Sequence, residues 1–170
     1  MNATRIHDWL EIVGLAAVVA SLIFVGLQLK QSQDIAIAAQ YQARHDSNAD
    51  LLFSALESEP VLNVWGHNIL EDILADPNVP DENKLWVQEQ PLQEIAGRNV
   101  IAIATLKQYD NIYFQYQNGF LVEEMWRAMH TQLSQQLNDP QNWMRGTYEY
   151  NPDVWRESFR EVVDEILSEN

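Results

Sequence analysis

Between Glu11 and Lys30 the chain reads IVGLAAVVASLIFVGLQL, a run from Ile12 to Leu29 without a single charge. As a helix these residues measure about 27 Å, close to the ~30 Å hydrocarbon core of a bilayer. Only Ser21 and Gln28 are neither apolar nor glycine. A short hydroxyl bonds back to its own helix, and Gln28 lies at the edge of the run, where water is near. Trp9 and Lys30 bracket the run as interfacial anchors do. A buried core helix of a soluble domain is the alternative, but it suits apolar runs of about 10–14 residues. A cleaved signal peptide has an apolar region of about 7–15 residues ending at a small-x-small site. Here the run continues through Leu22-Ile23-Phe24-Val25, past the small residues Ala16, Ala17, Ala20 and Ser21. The expectation is an uncleaved transmembrane helix over about residues 10–29.

One face of that helix carries small or polar residues: Gly14, Ala17, Ser21 and Gln28. Ala16 with Ala20, and Ala17 with Ser21, have small-x-x-x-small spacing, which lets two helix backbones approach closely in lipid. The span is therefore expected to act also as an interface, with a second copy or with another membrane protein. Orientation is weakly marked. The α-amine and Arg5 stand before the run and Lys30 and Arg44 after it, nearly a tie in positive charge.

The charge of the chain lies beyond the span. Of 10 Lys+Arg and 25 Asp+Glu, two of each fall in the first 30 residues, so the remainder carries the whole net charge of −15. Such a surface repels phosphate backbones, and nucleic acid is not an expected partner. It is also repelled by anionic lipid surfaces. With no cysteine, disulfides, thiol catalysis and thiolate metal sites are excluded. Six Trp and six Tyr supply the area for a core without covalent staples.

The chain divides into a tail and anchor (1–30), a helical neck continuing the anchor (31–58), and an acidic all-α domain (59–170). The neck, with Ile37, Tyr41, Leu52 and Leu56 as an apolar stripe, is expected to break near Gln31–Asp34. Glu59-Pro60 opens a helix with Leu62, Trp65, Ile69 and Ile73 at helical spacing. Asp76 to Pro80 is a turn, and Asp81 can cap the helix that follows. Residues 81–118 form the longest helical segment. Pro91 either ends a short helix or opens the long one. Its apolar positions cover two faces, one with Leu92, Ile95, Ala96, Ile103, Leu106 and Tyr113, the other with Ile101, Ala104, Ile112 and Tyr116. A helix apolar on two faces is packed on both sides, so this is the expected central helix. Gly119 is placed to cap its C-terminus. Val122, Met125, Trp126, Met129, Leu133 and Leu137 define the next helix, ended by Asp139-Pro140, and a turn containing Trp143 follows. Asn151-Pro152-Asp153 has the residues of a helix start, before a stripe of Trp155, Phe159, Val162, Val163 and Ile166. No stretch alternates as a strand does. The fold class is all-α: one transmembrane helix followed by a bundle of about five helices.

Two stretches together carry a resemblance: the anchor running into LQLKQSQ at 27–33, and NIYFQYQNG at 111–119 followed by LVEEMW at 121–126. They resemble a family of small bacterial proteins of unknown function with one N-terminal membrane helix, a basic flank and a helical domain. The resemblance carries no activity. It implies a bacterial inner-membrane location with the helical domain on the cytoplasmic side, although here the basic flank keeps only Lys30 and the distant Arg44.

The patterns of known chemistry are sparse. The histidines are His7, His45, His67 and His130, and none is preceded three residues earlier by Glu, as a helical di-iron site requires. His67 with Glu71, and His45-Asp46 beside Asp50, are spaced to hold a metal, or to be ordinary exposed pairs on a helix surface. Neither a G-x-S-x-G elbow nor a phosphate-binding glycine loop is present. No catalytic residue, metal or cofactor is expected. The densest polar and aromatic stretch is 111–126, where Asn111, Tyr113, Gln115, Tyr116, Asn118 and Trp126 form either a pocket or a helix–helix corner. Asp110, on the same stripe, needs a partner if buried, with Arg98 and Arg127 as candidates. The leading reading is a membrane-anchored, non-enzymatic interaction module that self-associates. The alternative is a small-molecule or lipid-binding domain, or an enzyme, with its site at the 111–126 corner.

Overall fold

The structure, a computed structural model, describes residues 3–139 and 142–169, residues 3–8 by their backbone alone. Every regular element among the described residues is helical: α1 (Ala3–Leu56), α2 (Glu59–Ala75), α3 (Asp81–Gln88), α4 (Leu92–Gln117), α5 (Glu123–Leu137), α6 (Met144–Tyr150), a 3-10 turn (Pro152–Val154) and α7 (Glu157–Ser168). The chain separates into two compact units, 1–40 and 41–170.

The first unit is the N-terminal stretch of α1. This helix is long and apolar enough to cross a membrane, and none of its apolar window is buried. Trp9 is 70% exposed and Leu22 67%, so the run is not the covered core helix that was the alternative. The expected break near Gln31–Asp34 is absent: α1 is helical from Ala3 to Leu56. The reason is covalent. No glycine or proline occurs between Gly26 and Pro60, and a polar, solvated surface does not interrupt the backbone hydrogen-bond ladder.

The second unit is a helical bundle centred on α4. α2 starts with Pro60 in its first turn, where a missing N–H costs nothing. It packs principally on α4. The closest approach is at Gly66: a Cβ there would lie 2.0 Å from the carbonyl oxygen of Leu92. Pro91 opens α4 from the cap position, and α3 is the short helix before it. The cap of α3 is Pro80, with Asp81 already inside the first turn. α4 is central, as its two-sided pattern requires, but the faces differ in detail. Ile95, Ala96, Val100, Ala102 and Leu106 are buried, whereas Ile101 is exposed. Of the neck stripe, Tyr41, Leu52 and Leu56 are half-buried and Ile37 is exposed.

The main core joins Leu106 and Tyr109 of α4 to Trp126, Leu133 and Leu137 of α5, Met144 and Tyr148 of α6, and Phe159, Val163 and Ile166 of α7. Full burial of each such side chain is worth about 1.5–3 kcal/mol. Met125 and Val122, expected on the inner stripe of α5, are exposed. Two further expectations are corrected. The stretch after Trp143 is a helix of its own, α6, rather than a turn. Asn151-Pro152-Asp153 starts only the 3-10 turn, and α7 begins at Glu157 after Arg156. α5 ends at Leu137; Pro140, the expected stop, lies outside the described residues.

Candidate functional site

The 111–126 segment forms a corner between α4 and α5. α4 ends in a Schellman turn. Gly119 has φ 75, its N–H donates to the Tyr116 carbonyl at 2.9 Å, and the Phe120 N–H donates to the Gln115 carbonyl at 2.9 Å. These bonds satisfy carbonyls that the helix end would otherwise orphan. Asn118 Nδ2 donates to the Phe114 carbonyl at 2.8 Å. Five of the six expected corner residues thus act on local structure or on one another. Gln115 and Asn118 serve the turn. Tyr113 and Tyr116 lie against Trp126, with ring centroids at 4.8 and 5.6 Å. Trp126 in turn meets His130 edge-on. The Tyr116 hydroxyl donates to Glu123, and this bond raises its pKa above the ordinary phenol value.

Asn111 belongs elsewhere. Its Nδ2 donates to Gln42 Oε1 at 2.7 Å, and it opens a second polar cluster that reasoning from the sequence did not assemble. The centre of this cluster is Asp110, only 8% exposed. Its carboxylate accepts from Arg156 Nε at 2.7 Å and from the Tyr41 hydroxyl at 2.8 Å. Arg156 Nη2 also donates to the Asp110 carbonyl at 2.8 Å, and Nη1 reaches Gln117 Oε1 and Ser158 Oγ, each at 3.3 Å. The guanidinium lies 5.1 Å from the Phe114 ring and 5.5 Å from the Tyr41 ring, and the two rings stack at 4.1 Å. Burial, followed by the bond to Asp110, pushes the Tyr41 phenol up to about 12. The partner of Asp110 is therefore neither Arg98, which pairs with Glu94, nor Arg127, which faces Glu123. It is Arg156, from the cap of α7.

Chemically this knot is closed. Both oxygens of Asp110 are occupied and the guanidinium donors have acceptors, so the charges stabilise each other and the group holds neck, α4 and α7 together. One buried atom, Asn111 Oδ1, finds no hydrogen-bond donor among the described residues.

His67 Nε2 and Glu71 Oε1 are 3.2 Å apart on α2, both well exposed. Among the described residues no group of three or more His, Cys, Asp or Glu side chains converges to hold a metal. On α2 an open apolar depression of about 610 Å³ is formed by Pro60, Val61, Val64, Trp65 and Asn68. On the span, Gly14, Ala17, Ser21 and Gln28 are all exposed.

No family model matches the chain, and neither does any curated protein or solved structure.

Proposed function

We propose that this is a single-pass membrane protein whose acidic helical domain is a non-enzymatic interaction module, and that copies of it associate through the span. The observation that carries the reading is the exposure of the uncharged Ile12–Leu29 run along α1. So much contiguous apolar surface is not stable against water and calls for lipid. The closed Asp110–Arg156 knot supports the non-enzymatic part, because its acid and base are spent on each other rather than held open for a substrate. On the resemblance described above, the membrane is a bacterial inner membrane and the domain lies on its cytoplasmic side.

The alternative is a small-molecule or lipid site at the 111–126 corner; the unpartnered Asn111 Oδ1 lies beside Asp110 instead, away from the Tyr113–Tyr116–Trp126 corner. An alkaline wash of membranes from cells making the full chain tests the main reading. The protein should stay in the pellet and require detergent for release, and cross-linking within those membranes should give a dimer. Release by the wash overturns the anchor. A monomer at every cross-linker dose overturns self-association.

A further inference from the structure

The strongest unexplained surface is the outer face of α2. The helix turns Leu62 and Gly66 inward and leaves Val61 and Val64 in solvent, Val64 by 64%. With Pro60, Trp65 and Asn68 they line the open depression. The positions Val61, Val64, Asn68 and Glu71 succeed one another at three- and four-residue steps, so they share one line of the helix, and Glu57 stands in the turn just before α2. The ends of this strip are carboxylates and its middle is apolar. The neighbouring sequence has the same sign: residues 45–97 contain eleven Asp and Glu against one Lys or Arg, Lys84, although His67 stands 3.2 Å from Glu71.

Charge decides what can cover this face. A second copy would bring the same carboxylates against it. Anionic lipid and nucleic acid are repelled for the same reason. An apolar strip with acid at both ends complements a helix whose own apolar face is flanked by Lys and Arg, the helix-in-groove mode of recognition. We propose that the α2 face docks a basic amphipathic helix of a partner protein, with Val61, Val64 and Trp65 receiving its apolar anchors and Glu57 and Glu71 its flanking cations. This rests on the reading of the domain as an interaction module and names the kind of partner it takes.

The probe is a synthetic, fluorescently labelled helical peptide of Leu and Lys with all Leu on one face, titrated by anisotropy against the full chain in non-ionic detergent. A peptide of the same composition in scrambled order is the reference. Val61→Asp/Val64→Asp is the decisive variant, because it adds two negative charges while removing the apolar strip. Attraction by net charge alone would tighten binding, whereas docking on this face should weaken it by about tenfold or more. Both valines are exposed, so the fold should survive, and an unchanged melting temperature checks that. Val154→Asp, an exposed valine in the 3-10 turn, should bind as the wild type does. Glu57→Gln/Glu71→Gln should lose roughly two- to fivefold. Peptide uptake by detergent is common to all variants and cancels. Equal or tighter binding by the double Asp variant, equal binding of the scrambled peptide, or no binding to the wild type would each overturn the docking site. None of these results touches the membrane anchor, which the alkaline wash judges separately.

Discussion

Arg156 Nε donates to Asp110 Oδ1 at 2.7 Å, joining side chains 46 residues apart in the chain. The guanidinium lies over the stacked rings of Tyr41 and Phe114, and Asp110 is nearly closed off from water. A buried ion pair of this kind adds little net stability over an apolar pair of the same shape, but breaking it leaves an uncompensated charge. Arg156→Met should therefore destabilise the full chain by about 3–5 kcal/mol. Arg156→Met combined with Asp110→Leu should recover a substantial part of that loss. Urea denaturation in non-ionic detergent, followed by tryptophan fluorescence, measures both. Additive losses in the double variant would mean that the two side chains do not act as a pair.

That pairing was not legible in the sequence, and the reason is physical. Local spacing offers Asp110 two arginines, Arg98 and Arg127, yet each is taken by a carboxylate four residues away on its own helix. Arg156 is free to cross because it precedes α7 rather than lying within it. What was legible is what local chemistry fixes: the uncharged span, Pro60 at the start of α2, Gly119 at the end of α4, and the amphipathic stripes of α5 and α7. α6 escaped because seven residues, MRGTYEY, are too few to show a period, and only Met144 and Tyr148 turn inward. The 111–126 stretch looked like a single site in one dimension. In three it divides, because Asn111 faces the neck while Tyr113 and Tyr116 face Trp126.

Tyr41 gives this arrangement a signature in alkali. Its phenol is pushed up to about 12, first by burial and then by its bond to Asp110. Tyr148, which donates to Asp164 at 2.7 Å, is raised for the same kinds of reason. Below the ordinary phenol pKa of about 10 both the folded and unfolded chains keep these protons, so the contribution to stability is complete there. Above it the unfolded chain ionises first, and stability falls as pH rises through the folded value of about 12. An ultraviolet titration of the phenolates should show tyrosines that ionise late, together with unfolding. Tyr41→Phe should remove one of them. A titration in which every tyrosine ionises near pH 10, as it does in free phenols, would contradict the buried hydrogen bonds.

Glycines within the helices should respond with opposite signs. Gly66 touches α4, and a Cβ there meets the Leu92 carbonyl oxygen at 2.0 Å. Gly66→Ala forces the two helices apart and should cost about 1–3 kcal/mol. Gly97 lies inside α4 with open space around its Cα, so Gly97→Ala should stabilise by about 0.5–1 kcal/mol through helix propensity. Gly119 is a third case, since its φ of 75 strains any β-branched residue. Gly119→Val should lose about 1 kcal/mol or more. Melting temperatures of the three variants check the order: Gly97→Ala highest, Gly119→Val lower, Gly66→Ala lowest or close to it. A neutral Gly66→Ala would mean that α2 and α4 do not meet there.

The span supplies the last prediction, because it is where two copies can meet without meeting each other's charge. Each chain carries −15, so two acidic domains side by side repel, and the proposed association is expected to be held by the span. In lipid there is little hydrophobic drive between helices, and close backbone approach with interhelical hydrogen bonds supplies the attraction. Gly14, Ala17, Ser21 and Gln28 present one small-residue face, with Gln28 able to bond across it. Ala17→Leu and Ser21→Leu should each weaken dimer cross-linking by about 1 kcal/mol, or roughly fivefold in the association constant. Leu22→Ala, on another face, should leave it unchanged. Salt sets the sign of a second measurement. Raising ionic strength from about 0.05 to 0.5 M screens the repulsion between domains, so a dimer held by the span should cross-link more. A dimer held by ion pairs between domains would cross-link less. If the three span variants behave alike and salt lowers the yield, the contact lies in the helical domain and the span serves only as the anchor.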